Sequence, residues 1–291
     1  KEKALKLNKK TKVVFILVAF FLIGLAVPSY SWTRKNVKEI ETFYNSKLSP
    51  IIMIPGSSAT ENRFDGLVRK LNQDHRGVKH SLLKVKVWNN GRITFEGKIK
   101  DKDNEPVIVI GFENNKDGYN NIKKQTKMMN QAFEALQNKY NFNNFKGLGH
   151  SNGGLIYTAF IENYLSDYDV KINSLMTIGT PYNFTETNIK NKSVMLADFI
   201  AAKENIPSTL HVYSVAGTIT YDSDELVPDA SVSAGKYIYQ NQAKSYTEIT
   251  VTGEDAQHSD LPTNDEVVEL IKQHIEGQGV RKKQKTNLEP Q

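Results

Sequence analysis

The stretch Phe145-Lys146-Gly147-Leu148-Gly149-His150-Ser151-Asn152-Gly153-Gly154-Leu155 constrains this chain more than any other. A short apolar segment leads into it. Leu155-Ile156-Tyr157-Thr158-Ala159-Phe160-Ile161 leaves it with the apolar spacing of a helix packed on a sheet. Between them lies Gly149-x-Ser151-x-Gly153, the pattern of a sharp strand-to-helix turn with a serine at its apex. The serine of such a turn takes a strained backbone conformation, and side chains two residues away on either side would collide with it. That is the mechanical reason for glycine at 149 and 153. The plainer reading is a glycine-rich turn that only lets a helix pack closely, so the weight rests on what the remaining chain supplies.

The elements around this turn alternate. Residues 51–54 read as a buried strand that runs into the small residues Gly56, Ser57, Ser58 and Ala59. A helix with Phe64, Leu67, Val68 and Leu71 on one face follows, with Thr60 or Asn62 as its expected N-cap. Asn89-Asn90-Gly91 between two alternating runs predicts a hairpin. Further strands are expected at 106–111, 172–178, 209–216 and 246–251, and helices at 119–140, 194–202 and 267–275. Strands alternating with helices imply a mainly parallel sheet covered on both faces. Ligands of such sheets sit beyond the carboxyl ends of the strands, so loops leaving those ends are the places to look.

Length and composition agree. A chain of 291 residues, 39% apolar and 24% charged, can bury one large α/β domain. There is no cysteine, which removes disulfides, thiolate nucleophiles and Cys-based metal sites. Residues 1–12 hold six lysines against one glutamate, and residues 276–291 hold four basic residues against two glutamates. The rest is therefore net −1 of the total +6. The positive charge belongs to the ends, and the body has no basic bias toward nucleic acid.

The basic leader precedes an uncharged apolar run from Val13 to Val27. A basic region followed by such a run predicts an export signal or an N-terminal membrane anchor over residues 1–32. Ser29 and Ser31 offer a cleavage site, whereas Tyr30 and Trp32 suit the interface of an uncleaved span. Either way the body is expected outside the cytoplasmic membrane. Residues 33–47 read as a polar connector, 48–276 as the folded domain, and 277–291 as a basic, disordered tail.

A serine hydroxyl becomes a nucleophile when a base takes its proton, and the base needs an acid to orient it. His258 lies after the last expected strand, and Asp222, Asp224, Glu225 and Asp229 lie after the one before it. His75 and His80 precede Ser151 in a polar loop, His150 neighbours it and is expected to point away, His211 lies within a strand, and His274 lies in the closing helix. His258 alone stands in a suitable loop. Charge developing on an attacked carbonyl needs two backbone N–H donors, and Asn152 and Ser57 are the expected ones. No His-x-x-x-His spacing suggests a metal, and no cofactor is called for.

Together, Ile54-Pro55-Gly56, Gly149-His150-Ser151-Asn152-Gly153-Gly154, Gly179-Thr180-Pro181-Tyr182-Asn183, Ser223-Asp224-x-Leu226-Val227-Pro228 and the late His258 resemble the α/β-hydrolase superfamily. They are most similar to exported bacterial members related to lipases, and Phe112-Glu113-Asn114-Asn115 also fits that group. The resemblance spans about residues 48–275. It implies a parallel sheet with helices on both faces and a small cap over residues 182–208, whose helix either packs on the sheet or roofs Ser151. It implies a catalytic set of Ser151, Asp224 and His258 acting on a small-molecule, lipid or glycan ester, and it places the acid at Asp224 rather than its neighbours. Where the superfamily usually has His-Gly at the oxyanion loop, this chain has Pro55-Gly56. An acyltransferase would use the same residues, and an inactive surface binding protein could use the same fold. Oligomeric state is not legible.

Overall fold

The computed structural model describes residues 8–73, 79–219 and 222–276. The chain divides into two compact units, Lys1–Ser46 and Lys47–Gln291. Residues 1–7 of the basic leader and the tail expected to be disordered, 277–291, lie outside the described residues.

The first unit is one helix, α1 (Lys9–Tyr44). Asn8 caps it, its Oδ1 accepting the Thr11 N–H at 2.9 Å. At 1.5 Å rise per residue the helix is about 54 Å long. Its apolar side chains from Val13 to Val27 are exposed, and by length and composition it can cross a membrane. The polar connector expected over 33–47 is instead helical as far as Tyr44. After Pro28 the segment contains no proline or glycine to stop propagation. The Thr33 and Thr42 hydroxyls donate to carbonyls four residues back, and Lys35 and Glu39 pair across one turn at 3.8 Å. Polarity alone had marked the segment as a connector, and polarity does not terminate a helix.

The second unit is an eight-stranded sheet wrapped by helices. In chain order it runs β1 (Ile51–Ile54), α2 (Asp65–Gln73), β2 (Leu82–Val87), β3 (Ile93–Gly97), β4 (Val107–Phe112), α3 (Tyr119–Tyr140), β5 (Asn144–His150) and α4 (Asn152–Asn163). It continues through β6 (Lys171–Ile178), α5 (Val194–Ala202), β7 (His211–Thr218), α6 (Asp229–Ser233), α7 (Lys236–Tyr239), β8 (Ser245–Thr252) and α8 (Asp265–His274). The strand order is β3-β2-β4-β1-β5-β6-β7-β8, and every pair is parallel except the β2–β3 hairpin. Side chains alternate across β1. Ile52 and Ile54 join the layer with α3, α4 and α5, while Ile51 and Met53 join the layer with α2 and α8. Burial on both faces is why β1 and β4 read as unbroken apolar runs.

The chain leaves β1 toward β2 and β4, then crosses through α3 to β5 on the other side. The direction of winding reverses between β1 and β5, and the carboxyl ends of these two strands open the crevice where parallel sheets bind ligands. Ile54 and His150 end those strands.

Helix α2 starts later than expected. Its first hydrogen bond runs from the Val68 N–H to the Phe64 carbonyl, and Thr60 Oγ1 instead accepts the Asn62 N–H within the preceding turn. Helix α5 buries Met195, Leu196 and Phe199 in the core, packs against α4 and α7, and leaves Val194 exposed. Its apolar face is thus buried in the core through neighbouring helices.

One buried group makes stability depend on pH. Glu162 on α4 is 4% exposed, its Oε1 has no partner among the described residues, and burial pushes its carboxyl up to about 9. Its folded value lies above its unfolded one, near 4.5. This contribution to stability is therefore fully present below about pH 4.5 and is lost as pH rises toward 9. Melting temperature should fall between pH 5 and 9, with Glu162 accounting for roughly 2–4 kcal/mol of the loss. Glu162→Gln should flatten the profile, and an equally steep fall in the variant would contradict this assignment.

Candidate active site

Ser151 sits between the last residue of β5 and the first of α4, with φ 54° and ψ −127°. A positive φ is costly for a residue with a Cβ, and four close approaches hold it. A Cβ on Gly149 would stand 2.5 Å from the Gly154 nitrogen. On Gly153 it would stand 2.0 Å from the Ile54 carbonyl oxygen, on Gly154 2.1 Å from Thr180 Oγ1, and on Gly56 2.7 Å from the Cβ of Ser151 itself. Gly149 and Gly153 are thus fixed by backbone of α4 and β1, and Gly154 and Gly56 by the side chains of Thr180 and Ser151. The Ser151 N–H donates to the Ile178 carbonyl at 2.8 Å, tying the turn to the end of β6.

Asp224 and His258 come together in the next two loops. The Asp224 carboxylate, 1% exposed, accepts from His258 Nδ1 through Oδ2 at 2.6 Å. Its Oδ1 accepts the N–H groups of Leu226 at 3.1 Å and Val227 at 2.7 Å. These bonds aim the carboxylate and leave it little freedom to rotate. The His258 N–H also donates to the Asp224 carbonyl at 3.0 Å. With Nδ1 donating to a carboxylate, Nε2 is the basic nitrogen of neutral His258. Asp222 is exposed two residues away.

Gly179 joins the two halves. It follows Ile178, has φ 56°, and a Cβ there would stand 3.1 Å from both Asp224 Oδ2 and His258 Nδ1. One residue after the carbonyl that holds Ser151, the backbone therefore lies against the Asp224–His258 pair. No hydrogen bond between Ser151 Oγ and His258 occurs among the described residues.

The two expected N–H donors belong to segments next to Ser151, Asn152 following it in the chain and Ser57 following Gly56, which packs on it. Asn152 is the first residue of α4, where N–H groups point away from the helix without intrahelical acceptors. Its side chain is tethered, Nδ2 donating to Asp117 Oδ1 at 2.7 Å. Asp117, in the loop after β4, gave no sequence signal because its partner lies 35 positions away. Ser57 follows Gly56, the residue packed on Ser151. The loop after β1 that carries Ser57 is braced from the β4 side, where the Ser58 N–H donates to the Asn115 carbonyl at 2.7 Å and Asn115 Nδ2 to that of Ala59 at 3.0 Å.

His150, expected to point away from Ser151, has its side chain against the His258 loop. It is buried, its Nε2–H donates to the His258 carbonyl at 2.9 Å, and the two rings lie 4.9 Å apart. Burial above all, and then Coulombic interaction with the His258 and Arg63 side chains, holds its imidazole well below the usual histidine range, so it is neutral. The other histidines serve packing. His211 bonds Ser245 Oγ at 2.7 Å, His274 stacks on Tyr213, and His80 is buried between the Glu105 carbonyl and Glu276. His75 lies outside the described residues.

A mainly parallel sheet with a serine raised on a strained turn between its fifth strand and the following helix defines an α/β hydrolase. Residues 38–278 match the family described as alpha/beta hydrolase of unknown function (DUF915), and the chain belongs to that family. It is similar to a crystal structure described as a cell surface hydrolase from Lactobacillus plantarum WCFS1. Identity is 50% over 78% of this chain and 91% of that one, with a TM-score of 0.72. It is also similar to the lin2722 gene product of Listeria innocua, at 29% identity over 79% of this chain and 94% of that one, with a TM-score of 0.73. No curated protein matches.

Proposed function

We propose that the protein is an exported serine hydrolase that cleaves carboxylic esters through Ser151, His258 and Asp224. The observation that carries this reading is the buried Asp224–His258 hydrogen bond of 2.6 Å, packed through Gly179 against the turn that bears Ser151. His258 Nε2 takes the proton of Ser151 as Oγ attacks the ester carbonyl carbon. Asp224 holds the ring with Nε2 outward and stabilises the imidazolium. The N–H groups of Ser57 and Asn152 receive the oxyanion. Collapse breaks the ester bond, the alcohol leaves with the proton from His258, and water, activated by the same base, hydrolyses the acyl-enzyme. The test is hydrolysis of p-nitrophenyl esters of graded acyl length by the purified protein. Turnover on at least the shorter esters is expected, and none on any of them would reject the reading.

The body is placed outside the cytoplasmic membrane, secreted or held there by α1. The exposed apolar stretch of that helix and the description of the Lactobacillus relative as a cell surface protein support this. Fractionation with N-terminal sequencing should find the protein outside the cytosol, either intact or cut near Ser31. Full-length protein confined to soluble cytosol would overturn the placement.

A further inference from the structure

The strongest unexplained feature is a second histidine inside the site. His150 is covalently next to Ser151, yet its side chain ends on the backbone of His258, 108 positions later. The loop carrying His258 is gripped at three successive points. Its N–H bonds the Asp224 carbonyl, its carbonyl accepts from His150 Nε2, and the next carbonyl, that of Ser259, accepts from the Arg63 guanidinium. Of these three, only the His150 contact is one residue removed from the nucleophile.

Resting on the Ser151–His258 reading above, we propose that His150 is a positioning residue that sets the spacing and orientation of His258 relative to Ser151. The elbow is tightly packed, with Gly149 against the Gly154 backbone, Gly153 against the Ile54 carbonyl and Gly154 against the Thr180 side chain. A side chain leaving that elbow is therefore a fixed reference point. Its Nε2–H measures out one hydrogen bond, 2.9 Å, to the residue that must receive the serine proton. The tilted ring contact, at 38° and 4.9 Å between centroids, limits rocking of the His258 ring toward the elbow. Buried His150 Nδ1 has no partner among the described residues, so this ring accepts a desolvation cost that a purely apolar filler would avoid. Displacements of about 1 Å between reacting groups can cost about a hundredfold in rate, which is the scale on which such a tether acts.

The experiment compares His150→Leu and His150→Gln in the full chain. Leucine fills similar space and donates nothing. Glutamine places an N–H donor at nearly the reach of Nε2. His150→Leu should lower kcat about 10- to 100-fold on a p-nitrophenyl ester with KM within about twofold, because the lost contact orders the proton acceptor and not the substrate. His150→Gln should recover most of that loss. A structural filler predicts the opposite pattern, with leucine tolerated and both variants judged by melting temperature alone. His150→Leu with unchanged kcat, or His150→Gln as impaired as His150→Leu, would overturn the proposal. If His150→Leu does not fold, His150→Gln alone decides, since kcat near wild type supports a donor and a loss of tenfold or more refutes it. Wild-type protein labelled at Ser151 by a fluorophosphonate, with His150→Leu as active as wild type, would reject the tether and leave the triad standing. Unlabelled wild type would reject both.

Discussion

Replacing Ser151 with alanine is expected to lower ester turnover to background, a loss of about a millionfold, with the fold intact. Losing the nucleophile of such a site removes the covalent route, and only binding and the oxyanion donors remain to assist water. Folding should survive because alanine occupies the same strained position with one atom fewer. Ser151 is buried, and its Oγ carries no structural hydrogen bond among the described residues. The check is kcat on a p-nitrophenyl ester together with a melting curve. Undiminished activity in a folded Ser151→Ala protein would move the nucleophile elsewhere.

The second large effect is at Asp224. Asp224→Asn should lower kcat about 10⁴-fold, because an amide facing Nδ1 favours the tautomer with its proton on Nε2, which cannot accept from serine. Asp222→Asn should be mild. Asp222 is exposed, whereas Asp224 is buried, bonded to His258 and fixed by two backbone N–H groups. Kinetics on both variants settle the assignment, and the reverse ranking would place the acid two residues earlier.

The parts of this site that sequence reveals are those written locally. Gly149, Ser151 and Gly153 mark the elbow because the turn excludes side chains at the positions two residues before and after its apex. Asp224 is separated from Asp222, Glu225 and Asp229 only by the resemblance of Ser223–Pro228 to the acid loop of α/β hydrolases; the bonds from Leu226 and Val227 that aim its carboxylate are visible only in the structure. The unbroken apolar runs of β1 and β4 announce strands buried on both faces. What could not be read depends on distant partners. His150 meets His258 only after the sheet has formed, and Asn152 meets Asp117 across a loop from a different strand. Polar His80 reads as a loop residue and is buried, because its acceptors lie 25 and 196 positions away. The continuation of α1 to Tyr44 was missed for the opposite reason. Everything that sustains it is local, in threonine back-bonds and one ion pair across a turn, but the polar composition that marks a connector does not say whether the connector is helical. The burial of the apolar face of α5 depends on its neighbours α4 and α7, which its own apolar stripe does not reveal.

The central claim is that Ser151 is an activated nucleophile in the folded protein. The most direct measurement is reaction of the purified wild-type chain with a fluorophosphonate, followed by intact mass and peptide mapping. One phosphonyl adduct per chain is expected, on the peptide containing Gly149–Gly153 and on Ser151 itself, with none in Ser151→Ala and a much slower reaction in Asp224→Asn. A folded wild-type protein that takes up no label, or takes it up equally in Ser151→Ala, would contradict the claim.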